Sequence, residues 1–492
     1  MVDHGSELAR PSCAAEQGVR EMRATGTVAS RFSAMLQGLM PRAPSRYVVA
    51  VVGGATAGAE AAAMLAERGV VVVVFEQNAR PYGKIEDGLP RWHVKLRRKE
   101  YETISEKLSR PGVYFVPCTK IGRDIEFPAL VSEWGFSAVL LAHGAWRDRP
   151  LPIDGADDYL GKGLVYQNSL IYWFNHYTER EYQGPMYEAV DGALVVGGGL
   201  ASIDVLKVLQ IESVRAALAE RGIDESMLRI EQEGVPAILE EHGFSWDDLG
   251  LRGATLVYRR RIEDMPLADI PEDADESRRH KFEATRRRIL EKAMQKYCFD
   301  VRAQRVPVGL LTEGDRLVGL RLQRTRVEDG RALPIDGAFE EVRAPLVVSS
   351  IGSVPEPMEG VERDGHLYRW ADADLGRLGG YDSVFSTGNV VTGKGNIVAS
   401  RKHSVRVTTH VIEQYLGLGN GRHDGEQALL ASAESEADDA GRALMGSLRA
   451  RPPLSPEAVD ALLERVGARR EAVGYTSSYR DWLARVTPPD LA

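Results

Sequence analysis

Two stretches of this chain join a buried-strand run to a glycine turn and a helix start built from small residues. The first is Val48-Val49-Ala50-Val51-Val52-Gly53-Gly54-Ala55-Thr56-Ala57-Gly58, and the second is Gly192-Ala193-Leu194-Val195-Val196-Gly197-Gly198-Gly199-Leu200-Ala201-Ser202. The glycines that open the two turns, Gly53 and Gly197, are 144 residues apart. A glycine turn lets the backbone approach a pyrophosphate closely, and the helix behind it aims unpaired N–H groups at the phosphates. Two dinucleotide-sized cradles in one chain imply two nucleotides held face to face. That layout passes hydride from a nicotinamide to a flavin.

The selectors that follow the two cradles differ. In the first, spaced Gly53-x-x-x-x-Gly58 with Ala55 at the middle position, Glu76 ends the next strand eighteen residues beyond Gly58. A carboxylate there accepts hydrogen bonds from a ribose diol. In the second, Gly197-x-Gly199 is followed by Leu200 and Ser202, and the next strand ends in Arg259-Arg260-Arg261. Guanidinium groups favour a 2′-phosphate through charge and bidentate geometry, which points to NADP(H); the competing reading is a solvated basic loop. Asp204 fits either a plain helix surface or a loop near the nicotinamide.

The elements that must position these residues follow from pattern. Apolar runs at 47–53, 70–75 and 136–143 read as buried parallel strands, and 56–68 reads as the helix between the first two. Further helices are expected at 94–109, 170–177, 201–210, 274–297 and 396–414. A charged helical insertion is expected over 212–250, and hairpins at Glu313-Gly314-Asp315 and Glu328-Asp329-Gly330. The fold class is α/β, with two Rossmann-like dinucleotide-binding domains flanked by helical terminal extensions. Residues 1–46 form an N-terminal arm with one helix at 19–39. Residues 47–155 and 351–420 are the two parts of one nucleotide domain, and 156–350 form the other. Residues 421–492 form a helical extension, amphipathic around 455–466.

A length of 492 residues, 43% apolar and 27% charged, reads as an ordinary soluble protein of several domains. A net charge of −9 argues against a dedicated nucleic-acid binder. No apolar stretch is long enough for a membrane span, and the first residues lack the apolar core of a secretory signal. Cys13, Cys118 and Cys298 are isolated from one another and read as free thiols in a cytoplasmic, reducing setting. Without a CxxC pair, neither a vicinal redox disulfide nor a standard iron–sulfur run is present. No Ser/His/Asp nucleophile arrangement and no compact metal-ligating cluster is evident.

The sequence resembles the adrenodoxin reductase and glutamate synthase small-subunit branch of the FAD-dependent pyridine-nucleotide oxidoreductases. The resemblance rests on VVGGATAGAEAA, RPYGKIEDGLPRWHVKLRRKE, AVLLAHGAW, GLVYQNSLIYWFN, ALVVGGGLASIDV, VYRRRIEDMP, VVSSIGSVPEP and VFSTGNVVTGKGNIVASRKHS, in family order across about 47–405. It implies an FAD domain split in sequence by an inserted NAD(P)H domain. It places Gly53, Ala57, Gly58, Glu76, Gly83, Lys84, Gly388, Gly395, Asn396 and Ile397 around FAD. Gly197, Gly199, Arg259 and Arg260 would hold NADP(H), and His93 would lie near the flavin as the catalytic residue. Asn389 stands where many relatives carry Asp, and the cysteine-rich iron–sulfur domain of glutamate-synthase-like members is absent. The implied activity is electron transfer from NADPH through flavin to a ferredoxin or a partner iron–sulfur protein. The alternatives are a flavoprotein subunit of a larger synthase or reductase complex, joined through the terminal extensions, and a non-catalytic flavin-binding scaffold. Lys84, Arg91, Lys95, Arg97, Arg98, Lys99, Arg401 and Lys402 are the expected basic face for an acidic partner.

Overall fold

The structure, a computed structural model, describes residues 46–180, 182–271, 274–393, 395–418 and 451–488. The expected helix at 19–39 lies outside the described residues. These residues form two compact units. A flanking unit takes the residues up to Glu86, Lys95–Trp146 and the chain from Val354 onward; a central unit takes Asp87–Val94 and Arg147–Ser353.

The chain opens with β1 (Val48–Val52), α1 (Thr56–Glu67) and β2 (Val71–Phe75), then α2 (Val94–Leu108), β3 (Val113–Val116) and β4 (Ala138–Leu141). In the central unit follow β5 (Leu164–Tyr166), α3 (Gln167–His176), β6 (Leu194–Gly197), α4 (Leu200–Ala219), β7 (Thr255–Tyr258), α5 (Glu276–Tyr297) and β8 (Asp300–Ala303). Three long strands, β9 (Arg305–Glu313), β10 (Arg316–Glu328) and β11 (Arg331–Arg343), precede β12 (Val347–Ser350). The return to the flanking unit brings β13 (Trp370–Asp372), β14 (Arg377–Leu378), β15 (Val384–Ser386) and α6 (Ile397–His410), with α7 (Pro456–Ala472) and α8 (Tyr479–Val486) near the end.

The flanking sheet runs β13-β14-β15-β4-β1-β2-β3. β1 pairs in parallel with β2 on one side and β4 on the other, so the strand order reverses at β1. Every residue of β1 and β2 is buried, as expected of valine-rich strands covered on both faces. α1 is largely alanine, and its small buried side chains let it lie close on the sheet. The central sheet runs β5-β12-β6-β7-β8, all parallel, and its order reverses at β6. β9, β10 and β11 form a separate antiparallel sheet, with turns at both expected hairpin positions.

Several boundaries differ from the sequence reading. α4 continues to Ala219 because Ile211, Val214, Ala217 and Leu218 keep one face buried beyond residue 210. The charged insertion consists of short helices at Met227–Glu233 and Val235–Glu241. α6 passes into a π-helical turn over Val411–Tyr415. In α7, Val459, Leu462, Leu463 and Val466 are buried at helical spacing. Cys298 is a free thiol, and Cys13 lies outside the described residues.

Candidate functional site

Each cradle lies at the carboxyl end of the strand where its sheet order reverses, the position at which open α/β sheets bind ligands. In the flanking unit Gly53 has φ +101°, and a Cβ there would meet the Ala142 carbonyl oxygen at 2.7 Å and His143 Cα at 2.8 Å. A Cβ on Gly58 would fall 1.8 Å from the Gly53 carbonyl oxygen. The turn and the helix start are therefore in backbone contact, and glycine is a steric requirement at both positions. Gly83, φ +51°, closes over Ala55, and Gly388, φ +75°, closes over Ala57. No side chain caps α1 and no acidic residue occupies its first turn. Its leading N–H groups and the dipole behind them thus suit an anion.

Glu76 is buried at the end of β2. Oε2 accepts from Gly54 N–H at 2.8 Å and Oε1 from Asn78 N–H at 2.9 Å. These two amides, one on each carboxylate oxygen, fix the orientation of the Glu76 side chain. Lys84 Nζ lies 5.7 Å from the centre of the Trp146 ring. Asn389 Oδ1 accepts from Gly395 N–H at 2.7 Å, and Asn396 caps α6, whose first residue is Ile397, by accepting from Ala399 N–H at 2.8 Å.

Two residues that sequence reasoning passed over fix this side. His403 Nδ1 accepts from Gly388 N–H at 3.1 Å, and Ser404 Oγ donates to the Ala57 carbonyl at 2.7 Å. Burial, reinforced by Arg406, holds His403 below the ordinary imidazole pKa and keeps its ring neutral. His143, beside the Gly53 turn, is likewise neutral, its pKa pushed down by burial to about 4. Both histidines stand in the family-like stretches AHGAW and SRKHS; that placement was the available signal.

In the central unit, a Cβ on Gly197 would meet Ser202 Oγ at 2.2 Å and the Ser350 carbonyl oxygen at 2.4 Å, whereas one on Gly199 meets open space. Ser202 Oγ bonds the Ser350 carbonyl at 3.1 Å and the Ser350 hydroxyl at 3.0 Å, tying the start of α4 to β12. Gly198 sits against the Tyr258 ring. Leu200, the first residue of α4, is exposed, and no side chain caps that helix. The three arginines part company. Arg260 Nε donates to Tyr258 Oη at 3.0 Å, Nη1 to the Gly330 carbonyl and Nη2 to the Asp264 carbonyl, each at 3.3 Å. Arg261 pairs with Asp264 at 2.9 Å. Arg259 is exposed and enters no ion pair among the described residues.

His93 falls in the central unit. Its Nε2 is 3.7 Å from Asp204 Oδ1 on α4, and both side chains are partly exposed. Asp204 is also 3.8 Å from Lys207 Nζ, which pairs with Glu231 at 2.8 Å and lies 4.5 Å from the Trp92 ring centre. The basic face is smaller than the sequence suggested. Arg97 is buried and donates to the Glu86 carbonyl and Tyr101 hydroxyl; Arg91 lies over Phe174 and Tyr177; Arg401 pairs with Glu100 at 2.7 Å. Lys95, Arg98, Lys99 and Lys402 are exposed. No group of residues that could hold a metal occurs among the described residues, and none of their helices is long and apolar enough to cross a membrane.

Parts of the chain are similar to known proteins. The glutamate synthase [NADPH] small chain of Bacillus subtilis (strain 168) is 32% identical over 172 residues, covering 34% of this chain and 34% of that protein. The mitochondrial NADPH:adrenodoxin oxidoreductase of Arabidopsis thaliana is 22% identical over 351 residues, covering 64% and 69%. The chain is related to this superfamily of FAD/NAD(P)H oxidoreductases. The match spans about a third of the length of the Bacillus subtilis and Mycobacterium tuberculosis glutamate synthase small chains. No protein-family model matches. The structure of Mycobacterium tuberculosis FprA in complex with NADPH shares the fold, with TM-score 0.58 and 19% identity over 86% of this chain and 90% of that one.

Proposed function

We propose that this chain is an FAD-dependent NADPH oxidoreductase that delivers electrons to a ferredoxin or another iron–sulfur protein. The observation that carries the reading is the difference between the selectors: an oriented carboxylate, Glu76, after the first cradle and an exposed guanidinium, Arg259, after the second. Relatives whose names include NADPH and adrenodoxin support the direction and the kind of partner.

The flanking-unit residues fit FAD, because a Cβ at Gly53 or Gly58 would run into the cradle's own backbone and one at Gly388 into the Ala57 side chain. In this reading the leading amides of α1, at Thr56, Ala57 and Gly58, bind the pyrophosphate, and Glu76 accepts from the adenosine ribose. Gly83 and Gly388 let backbone close over the cradle, and Asn396 fixes the start of α6. Bound FAD supplies two-electron acceptance from a reduced nicotinamide and one-electron release to an iron–sulfur centre. In the central unit Gly197 and Gly199 admit the second pyrophosphate, and Arg259 binds the 2′-phosphate. Arg260 braces the loop through Tyr258 and Gly330. His93, its Nε2 3.7 Å from Asp204 Oδ1, is the candidate catalytic residue. Lys95, Arg98, Lys99 and Lys402 offer positive charge to an acidic partner.

The test is anaerobic mixing of flavin-loaded protein with NADPH, or separately NADH, while the flavin spectrum is followed, and then addition of oxidised ferredoxin. Fast bleaching by NADPH and reoxidation by ferredoxin are the expected result. Bleaching without reoxidation removes ferredoxin as acceptor and favours a subunit role. Fully loaded protein that does not bleach rules out an autonomous reductase.

A further inference from the structure

The C-terminal helices have no counterpart in the motifs that define either cradle, yet they are bound to the backbone that carries Glu76. Glu76 is flanked by two loops. On one side Thr119 N–H donates to the Glu76 carbonyl at 2.8 Å, and Cys118 N–H donates to the Asn78 carbonyl at 3.2 Å. On the other, Asn78 N–H donates to the Glu76 carboxylate.

Both loops are held by the end of the chain. On α7, Arg469 Nε donates to Thr119 Oγ1 at 2.9 Å and Nη2 to the Cys118 carbonyl at 3.1 Å. On α8, the buried Trp482 donates its indole N–H to the Ala79 carbonyl at 2.8 Å. Ser478 caps α8 by accepting from Asp481 N–H, and the Tyr479 ring packs edge-on against Phe115 of β3, 5.3 Å between centres. Phe115 in turn lies 3.5 Å from where a Cβ on Gly54 would stand, and Gly54 supplies the other amide to Glu76.

We infer that Arg469 and Trp482 are positioning residues for the ribose acceptor Glu76, so that α7 and α8 complete the first nucleotide site. The inference rests on the proposed reading of that site as the FAD cradle. A fork of two donors at 118–119 and one donor at residue 79 pin the loops on either side of the carboxylate. The carboxylate thus meets the ribose in one orientation, and little ordering remains to be done on binding. Terminal helices serving only as a handle for another subunit would have no need to bond these carbonyls.

The experiment compares binding of FAD and of its 2′,3′-dideoxyadenosine analogue to apoprotein of the wild type, Arg469→Lys and Trp482→Phe. Far-UV circular dichroism and NADP⁺ binding verify the fold. Wild type should prefer FAD by roughly tenfold or more, the worth of hydrogen bonds to a charged acceptor. In folded variants that preference should fall at least threefold, while NADP⁺ affinity stays at the wild-type level. Lysine keeps the charge but loses the fork, so it reports positioning even where the tryptophan variant does not fold. An undiminished preference in folded Arg469→Lys overturns the inference. A wild type that binds FAD without preferring it overturns the role of Glu76, and one that binds no FAD overturns the flavin reading itself.

Discussion

Replacing Arg259 by alanine should convert an NADPH-selective protein into one that scarcely distinguishes NADPH from NADH. Of the three consecutive arginines, Arg260 has its three nitrogen donors committed to Tyr258, Gly330 and Asp264, and Arg261 is paired with Asp264. Arg259 is left exposed at the carboxyl end of β7, beside the strand that leads into the second cradle. A hydrogen bond to a charged group contributes about 1.5–3 kcal/mol. At an exposed site screening reduces this to about 1–2 kcal/mol, which is roughly five- to thirtyfold in affinity. The loss should fall on NADPH alone, since NADH has no 2′-phosphate. Rapid-mixing measurements of flavin bleaching against concentration of each nucleotide give the two affinities. Arg260→Ala, which frees Tyr258 beneath the turn, should weaken both nucleotides together. Equal losses for NADPH and NADH in Arg259→Ala, or a selective NADPH loss in Arg260→Ala instead, would refute the assignment.

Gly58→Ala places a Cβ 1.8 Å from the Gly53 carbonyl, so the protein should purify without flavin and lose about 1–3 kcal/mol in urea unfolding. Ser202→Ala removes two buried hydrogen bonds to Ser350 and should cost about 1–2 kcal/mol by the same measurement, with NADP⁺ binding weakened and FAD retention unchanged. His176 gives a pH signature. Burial pushes its pKa down, but hydrogen bonds to Asp87 at 3.2 Å and Glu179 at 2.6 Å overcome this and raise it to about 9. A raised folded-state value stabilises fully below the unfolded imidazole pKa of about 6.5, and the contribution of about 3 kcal/mol fades as pH rises through 9. Tm should accordingly drop between pH 6.5 and 9.5 in wild type and change less in His176→Gln; parallel curves would show the charged cluster to be unimportant. FAD should also leave the wild type far more slowly than NADP⁺ in dilution experiments, and comparable rates would contradict the contrast between the two selectors.

What could be read in the chain was what sterics dictate locally. Glycine at 53, 58 and 197 is demanded by backbone contacts within a few residues, and an all-valine run such as Val71–Val74 can be covered only on both faces. What could not be read were partnerships made at a distance. Three adjacent arginines look alike until the hairpin turn of β10 and β11 brings the Gly330 carbonyl to Arg260. Arg97 and Arg401 resemble docking charges until Tyr101 and Glu100 are seen to bind them. His93 comes within 3.7 Å of a carboxylate, Asp204, that lies more than a hundred residues away on the second cradle's helix. α7 and α8 carry an amphipathic signal but no motif, because Arg469 and Trp482 donate to main-chain carbonyls, which any sequence possesses.

The two cradles share a turn, a helix start and a place at a strand reversal, yet they are finished differently, and the difference bears on which nucleotide stays. At the first, the selector is buried, two amides orient its carboxylate, and its flanking loops are tied down by helices from the far end of the chain. Little side-chain freedom remains to be lost when a ligand arrives. At the second, Arg259 is exposed and enters no ion pair among the described residues, so ordering its long side chain costs about 0.5–1.5 kcal/mol on each binding event. The turn glycines Gly53 and Gly197 are both enclosed, so the contrast lies in the selectors and not in the turns. A preorganised, buried selector suits a resident cofactor, and an exposed charged selector suits a nucleotide that must leave after every turnover. The asymmetry of the two selectors is therefore the physical argument behind the proposal that FAD takes the first cradle and NADPH the second.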